Sequence, residues 1–183
     1  MRLFIAIKIE GIPTILSLLE DLRLIGADVK LVEPENVHVT LAFLGEVEDS
    51  RVEAIRRAMD GVKFNRFNVT LRGMGAFPSL SRPRVVWVGI EKGFNQMKEI
   101  RDQLVQNLKK VGVRPENDNE FLPHVTLGRV KGPRNLPKLS EFITKNADII
   151  VGEMEVREIT LFKSTLTPRG PIYEQLHSAR SSA

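Results

Sequence analysis

Apolar positions divide the chain into short, regular stretches. Leu3-Phe4-Ile5-Ala6-Ile7 is a continuous apolar run of strand length. Between Pro13 and Gly26, Ile15, Leu18, Leu19 and Leu22 recur at helical spacing, with proline at the start and glycine at the end, which predicts an amphipathic helix. Pro34 and Asn36 turn the chain into Val37–Leu44, a β-branched and aromatic run closed by Gly45 and expected as a strand. Ser50 and Glu53 have the spacing of a capping box, and Val52, Ile55 and Met59 carry a second helix on to Gly61.

Phe67, Val69 and Leu71 alternate as in a half-buried strand. A Gly/Pro/Ser-rich loop is expected from Gly73 to Pro83, and Val85–Ile90 reads as a buried strand with Trp87 in the core. Phe94–Gly112 is the longest expected helix. A polar loop around Arg114 to Glu120 leads into a strand from Phe121 to Val130, then a short helix near Ser140–Asn146. Strands are expected at Ile149–Val156, Glu158–Ser164 and Gly170–Leu176. The sum is mixed α+β. No Gly/Ser or charged spacer divides the chain, so residues 1–178 are expected to form a single domain and 179–183 a flexible tail.

Composition narrows the chemistry. With 42% hydrophobic and 27% charged residues, the chain of 183 has the make-up of a soluble globular protein. No apolar run is long enough for a membrane helix and no signal-peptide pattern opens the chain, so the cytoplasm is the expected compartment and no membrane partner is expected. The absence of cysteine excludes disulfides, thiolate nucleophiles and zinc-thiolate sites together. A net charge of +4 is a mild bias toward anionic partners and fits a random surface equally well.

Three histidines are present, and two of them, His38 and His124, open the same string, His-Val-Thr-Leu. Residues two apart on a strand share a face, so His38 projects with Thr40 and His124 with Thr126. Two such strands in similar settings predict two related lobes facing each other across a cleft. Opposed imidazoles suit a reaction in which one group takes a proton and another gives one. Phosphoester cleavage is such a reaction, with the threonine hydroxyls donating to the non-bridging oxygens. No Gly-x-Ser-x-Gly elbow and no phosphate loop is present, and Gly73-Met74-Gly75 reads as a turn. A metal site built from His38, His124 and the Asp118/Glu120 pair lacks helix-spaced ligands, so neither metal nor cofactor is expected. His177 has no motif around it.

The ordered set Phe4-Ile5-Ala6, Asn36-Val37-His38-Val39-Thr40-Leu41, Pro123-His124-Val125-Thr126-Leu127-Gly128-Arg129, Leu161-Phe162-Lys163-Ser164 and Gly170-Pro171-Ile172-Tyr173 spans nearly the whole chain. It resembles the two-histidine phosphoesterase superfamily, specifically the RNA 2′,3′-cyclic phosphodiesterases also called 2′-5′ RNA ligases. The resemblance implies a bilobal, pseudo-two-fold α+β fold with a basic cleft. It also implies opening of RNA 2′,3′-cyclic phosphates to 2′-phosphates and reversible 2′-5′ joining. His124 would then be the base that activates water, His38 the acid that protonates the leaving 3′ oxygen, and Arg129 a phosphate ligand. Strand alternation alone puts Arg129 on the face opposite His124, so a bulge, the strand end or the length of its side chain must bring it to the cleft.

Further RNA contacts are expected at Phe77, Arg82, Arg84, Lys163 and Tyr173, where a solvated loop and a buried Phe77 is the competing reading. RNA ends, with tRNA halves among the candidates, are the expected partners of a monomer. Two rivals share the residues: the same chemistry on a small nucleotide or ADP-ribose cyclic phosphate, and a non-catalytic RNA-binding module.

Overall fold

The computed structural model describes residues 1–116 and 121–183, and within them the strands form two antiparallel sheets. In chain order the elements are β1 (Arg2–Lys8), α1 (Pro13–Ile25), β2 (Val29–Leu31), β3 (His38–Glu46), α2 (Val52–Asp60), β4 (Phe67–Pro78), β5 (Pro83–Ile90), α3 (Phe94–Lys110), β6 (Val125–Val130), α4 (Leu136–Lys145), β7 (Ile150–Val156), β8 (Glu158–Thr167) and β9 (Gly170–Arg180). The first sheet runs β3-β1-β8-β9 and the second β2-β6-β5-β4-β7. Each sheet therefore starts in one half of the chain and is completed by two strands from the other. The helices divide likewise: α2 and α3 lie against the first sheet, α1 and α4 against the second.

This exchange explains why β1 reads as a continuous apolar run. It is an interior strand with both faces covered, the pattern of buried rather than half-exposed strands. Leu3, Ile5 and Ile7 enter the main core, whereas Phe4 and Ala6 join Phe162, Phe43 and Tyr173 in a small second cluster on the other face. That second face is the floor of a cleft. The helix expected from Pro13 forms with Ile15, Leu18, Leu19 and Leu22 buried, and Gly26 ends it at φ 71°, a left-handed cap that favours glycine.

Several expectations are corrected. The Ser50/Glu53 capping box does not form. Asp49–Arg51 is a 3₁₀ turn whose Arg51 N–H donates to the Glu48 carbonyl, so α2 begins at Val52 without a side-chain cap. The expected loop 73–83 is mostly strand, since β4 continues to Pro78 and pairs with β5. Its glycines serve close approach: a β-carbon on Gly75 would lie 2.2 Å from the Trp87 ring. The tail is not loose. β9 extends to Arg180, and the Ser181 and Ser182 N–H groups donate to the Arg157 and Phe64 carbonyls while Arg66 N–H donates to that of Ala183. Strand β6 begins at Val125 rather than Phe121, and Asp118 and Glu120 lie outside the described residues.

Candidate active site

The repeated string folds the same way twice. On β3, Thr40 pairs with Ala6 and Ala42 with Ile5, which leaves Leu41 without an opposite residue. On β6, Thr126 pairs with Trp87 and Gly128 with Val86, which leaves Leu127 in the same position. Each string thus ends in a β-bulge that re-aims the residues after it. Leu41 and Leu127 are buried at 2% and 0% exposure, and a β-carbon on Gly128 would meet Val29 Cγ1 at 2.6 Å, so both bulges are pinned by the core. Past the bulge, Phe43 and Arg129 return to the cleft. The bulge is what brings Arg129 to the face of His124 and Thr126 that simple alternation denies it.

The cleft between the sheets has a volume of about 640 Å³, and His38, Thr40, Phe77, His124, Thr126, Arg129 and Tyr173 all line it. Three expected contacts do not. Lys163 alternates with Ser164, which faces the cleft, and so lies on the other face of β8. Phe77 pairs with Val85, so Arg84 points away, and Arg82 is likewise absent from the wall. Trp87, expected in the core, shares the cleft-side face of β5, half-buried and 5.2 Å from the Phe77 ring centroid.

His38 is held on every side. Its Nδ1 lies 2.7 Å from the Asn36 carbonyl, which can only accept, so Nδ1 carries a proton and Nε2 faces the Thr40 hydroxyl at 2.9 Å. Phe4 and Tyr173 box the ring, with centroids 5.0 and 5.6 Å away. Burial holds the His38 imidazole below its ordinary proton affinity. The Asn36 carbonyl pulls the other way, and the charges of His124 and Arg129 add to the lowering. Burial pushes the Tyr173 hydroxyl above its ordinary value, against the influence of Arg129.

His124 has fewer constraints. Its Nδ1 donates to the Leu122 carbonyl at 2.8 Å, and Phe77 meets the ring edge-on at 5.1 Å. Among the described residues its Nε2 makes no protein hydrogen bond. Both rings therefore present Nε2 to one cleft, one engaged and one open. His177 bonds Asp60 at 2.7 Å, joining β9 to α2, and is not part of the wall.

Sequence reasoning missed Phe4, Asn36, Arg2, Lys30 and Arg169 as wall residues. Asn36 is buried and its side-chain amide donates to the Pro171 carbonyl at 3.1 Å, fastening the start of β9 beside His38. Arg2 places its guanidinium 5.0 Å over the Phe43 ring. The signal for Phe4 and Arg2 was the alternation within β1, hidden because both of its faces are apolar.

Two exchanged lobes with one His-x-Thr pair each, closing on a cleft that also holds an arginine, define a two-histidine phosphoester-processing protein. The family model described as LigT like Phosphoesterase matches residues 7–87 and again 88–173, one copy for each half, and the chain belongs to that family. It is 44% identical to an RNA 2′,3′-cyclic phosphodiesterase of Aeropyrum pernix over 86% of this chain and 89% of that one. With a protein of the same description from Archaeoglobus fulgidus it shares 39% over 96% and 98%. Among solved structures it resembles TT0787 of Thermus thermophilus, with TM-score 0.73 and 26% identity over 98% of this chain and 97% of that one. The fold also matches apo LigT of E. coli at TM-score 0.77, 24% identity and 100% and 98% coverage.

Proposed function

We propose that this chain hydrolyses RNA 2′,3′-cyclic phosphate ends to 2′-phosphate ends; its Aeropyrum and Archaeoglobus relatives are named RNA 2′,3′-cyclic phosphodiesterases. The observation that carries the reading is the presentation of two Nε2 atoms, from His38 and His124, to one cleft walled by Thr40, Thr126 and Arg129. His124 Nε2 is free to take a proton from water as its oxygen attacks phosphorus. The bond from phosphorus to the 3′ oxygen breaks, and His38 Nε2 returns a proton to that oxygen, leaving a 3′ hydroxyl and a 2′-phosphate. Thr40, Thr126 and Arg129 donate to the non-bridging oxygens, where charge accumulates. Burial favours neutral His38, and the substrate's phosphate anion offsets this by stabilising the imidazolium beside it.

With a 5′ hydroxyl in place of water as the attacking group, the same pair joins it to the cyclic phosphate through a 2′-5′ linkage, the bond from phosphorus to the 3′ oxygen breaking as before. The reading extends to tRNA halves as substrates and to a monomer working in the cytoplasm. Incubating an RNA that ends in a 2′,3′-cyclic phosphate, in the presence of chelator, tests it by phosphorus NMR. A 2′-phosphate end is expected, and a 3′-phosphate end or no turnover would overturn the assignment.

A further inference from the structure

Arg129 has an unusual neighbour. On the second sheet it stands directly across from Lys30 of β2, and both side chains line the cleft. Opposed residues in an antiparallel pair have Cβ atoms about 5 Å apart, and like charges there are destabilising. Lys30 Nζ in turn donates to the Arg169 carbonyl at 3.3 Å, and its stem passes 3.7 Å from where a β-carbon on Gly170 would sit. That contact ties β2 of one lobe to the β8–β9 turn of the other. Arg169 lines the same wall. Among the described residues no carboxylate pairs with Arg129, Lys30 or Arg169, and Glu33, on the same wall, forms an ion pair with none of them. A row of three cations thus leads from the histidines to the hairpin turn, and an anion laid along it would relieve their repulsion.

The chemistry of the proposed substrate says which anion. A cyclic phosphate closes the 3′ end of an RNA, so the strand continues from the terminal nucleotide only through its 5′ oxygen, which carries the next phosphate. Resting on the proposed cyclic phosphodiesterase reading, we infer that Lys30 and Arg169 form a second anion subsite for the 5′-phosphate of the terminal nucleotide. Arg129 serves the reacting phosphate, and Lys30 with Arg169 serves its neighbour. The site thereby favours 5′-phosphorylated or chain-embedded nucleotides over a bare nucleoside cyclic phosphate.

Three substrates test this: a nucleoside 2′,3′-cyclic phosphate, the same compound bearing a 5′-phosphate, and a dinucleotide ending in a cyclic phosphate. For the native chain kcat/KM is expected to rise about ten- to a hundred-fold on adding either the 5′-phosphate or the dinucleotide's phosphodiester, the range of one or two charge-assisted contacts. In the Lys30→Ala/Arg169→Ala double variant, shown to be folded by circular dichroism, that ratio falls toward one, and Lys30→Arg restores most of it in the single-site background. Equal kcat/KM for the first two substrates, or an undiminished ratio in the double variant, would overturn the subsite. A gain with the dinucleotide alone that survives in the double variant would assign the preference to base or sugar and also overturn it. Failure of all three substrates would instead sink the cyclic phosphodiesterase reading, which keeps the two failures apart.

Discussion

The two half-sites begin from one string and end in different environments. In the first sheet, His38 sits in an aromatic box of Phe4 and Tyr173 with Nε2 already bonded to Thr40. In the second, His124 has Phe77 at its edge and an Nε2 with no hydrogen bond among the described residues. The bulges at Leu41 and Leu127 are equivalent, yet they deliver Phe43 to one wall and Arg129 to the other. The cation beside Phe43 is Arg2, supplied by β1 with its guanidinium over that ring. The difference teaches that one repeated string places two Nε2 atoms on one cleft while its surroundings make the two rings unequal, as the proposed division of labour requires. An enclosed imidazole suits proton delivery to a leaving oxygen; an open one suits a water.

The widest test of that division uses leaving-group chemistry. His38→Ala and His124→Ala are each expected to lower kcat on a cyclic phosphate by about 10²–10⁴-fold, the span of general acid or base catalysis, with thermal unfolding little changed. On a 4-nitrophenyl phosphodiester, whose leaving group departs without a proton, His38→Ala should recover most of its loss and His124→Ala should not. Equal deficits on both substrates would break the distinction between the half-sites.

Arg129 and Arg2 carry the comparison one step outward. Arg129→Gln is expected to cost about 10²–10³-fold in kcat/KM, as removal of a donor to developing charge does. Arg2→Gln, whose cation is partly engaged by Phe43, should cost about tenfold or less. Steady-state kinetics on a cyclic-phosphate RNA measures both, and an equal loss would make the two walls functionally alike.

Much of this was legible in the residues because strand period and repetition are local signals. His-Val-Thr-Leu at two places indicated opposed pairs, and Ile15 through Leu22 indicated α1. What failed was long-range. Nothing near Gly73 or Gly75 announces that β4 continues through them, because the reasons are the Ala147 carbonyl and the Trp87 ring, both distant in the chain. The path of Arg129 depends on a bulge created by pairing with β5, and Lys30 reaches the cleft only because β2, three residues long, adds to β6. Lys163 and Arg84 were misplaced for the converse reason: charge near a motif says nothing of which face a strand turns outward.

The threonines sharpen the contrast at a smaller scale. Loss of one neutral hydrogen bond is worth about 0.5–1.5 kcal/mol, so Thr40→Val and Thr126→Val should each lower kcat by roughly two- to tenfold. Of the two threonines, Thr40 is the one that bonds a histidine among the described residues. Its removal should therefore change the imidazole NMR signals of His38 before substrate is added, while Thr126→Val leaves those of His124 in place. A change at His124 alone would reverse the expected asymmetry.

The enclosure of His38 also sets a dependence on pH. Burial lowers its proton affinity in the folded chain, whereas the unfolded chain titrates it near the ordinary value of ~6.5. Between the folded and unfolded values the unfolded state binds the extra proton, so stability rises with pH through that window and is lost on acidification below ~6.5. The slope of melting temperature against pH between about 5 and 7 should accordingly be shallower in His38→Gln than in the native chain. Saturating the cleft with a nucleoside 2′-phosphate places an anion beside the ring and should raise the His38 titration midpoint followed by NMR. A midpoint that stays where it was would mean that the substrate anion does not load the acid, and the proton delivered to the 3′ oxygen would have to come from elsewhere than the enclosed half-site.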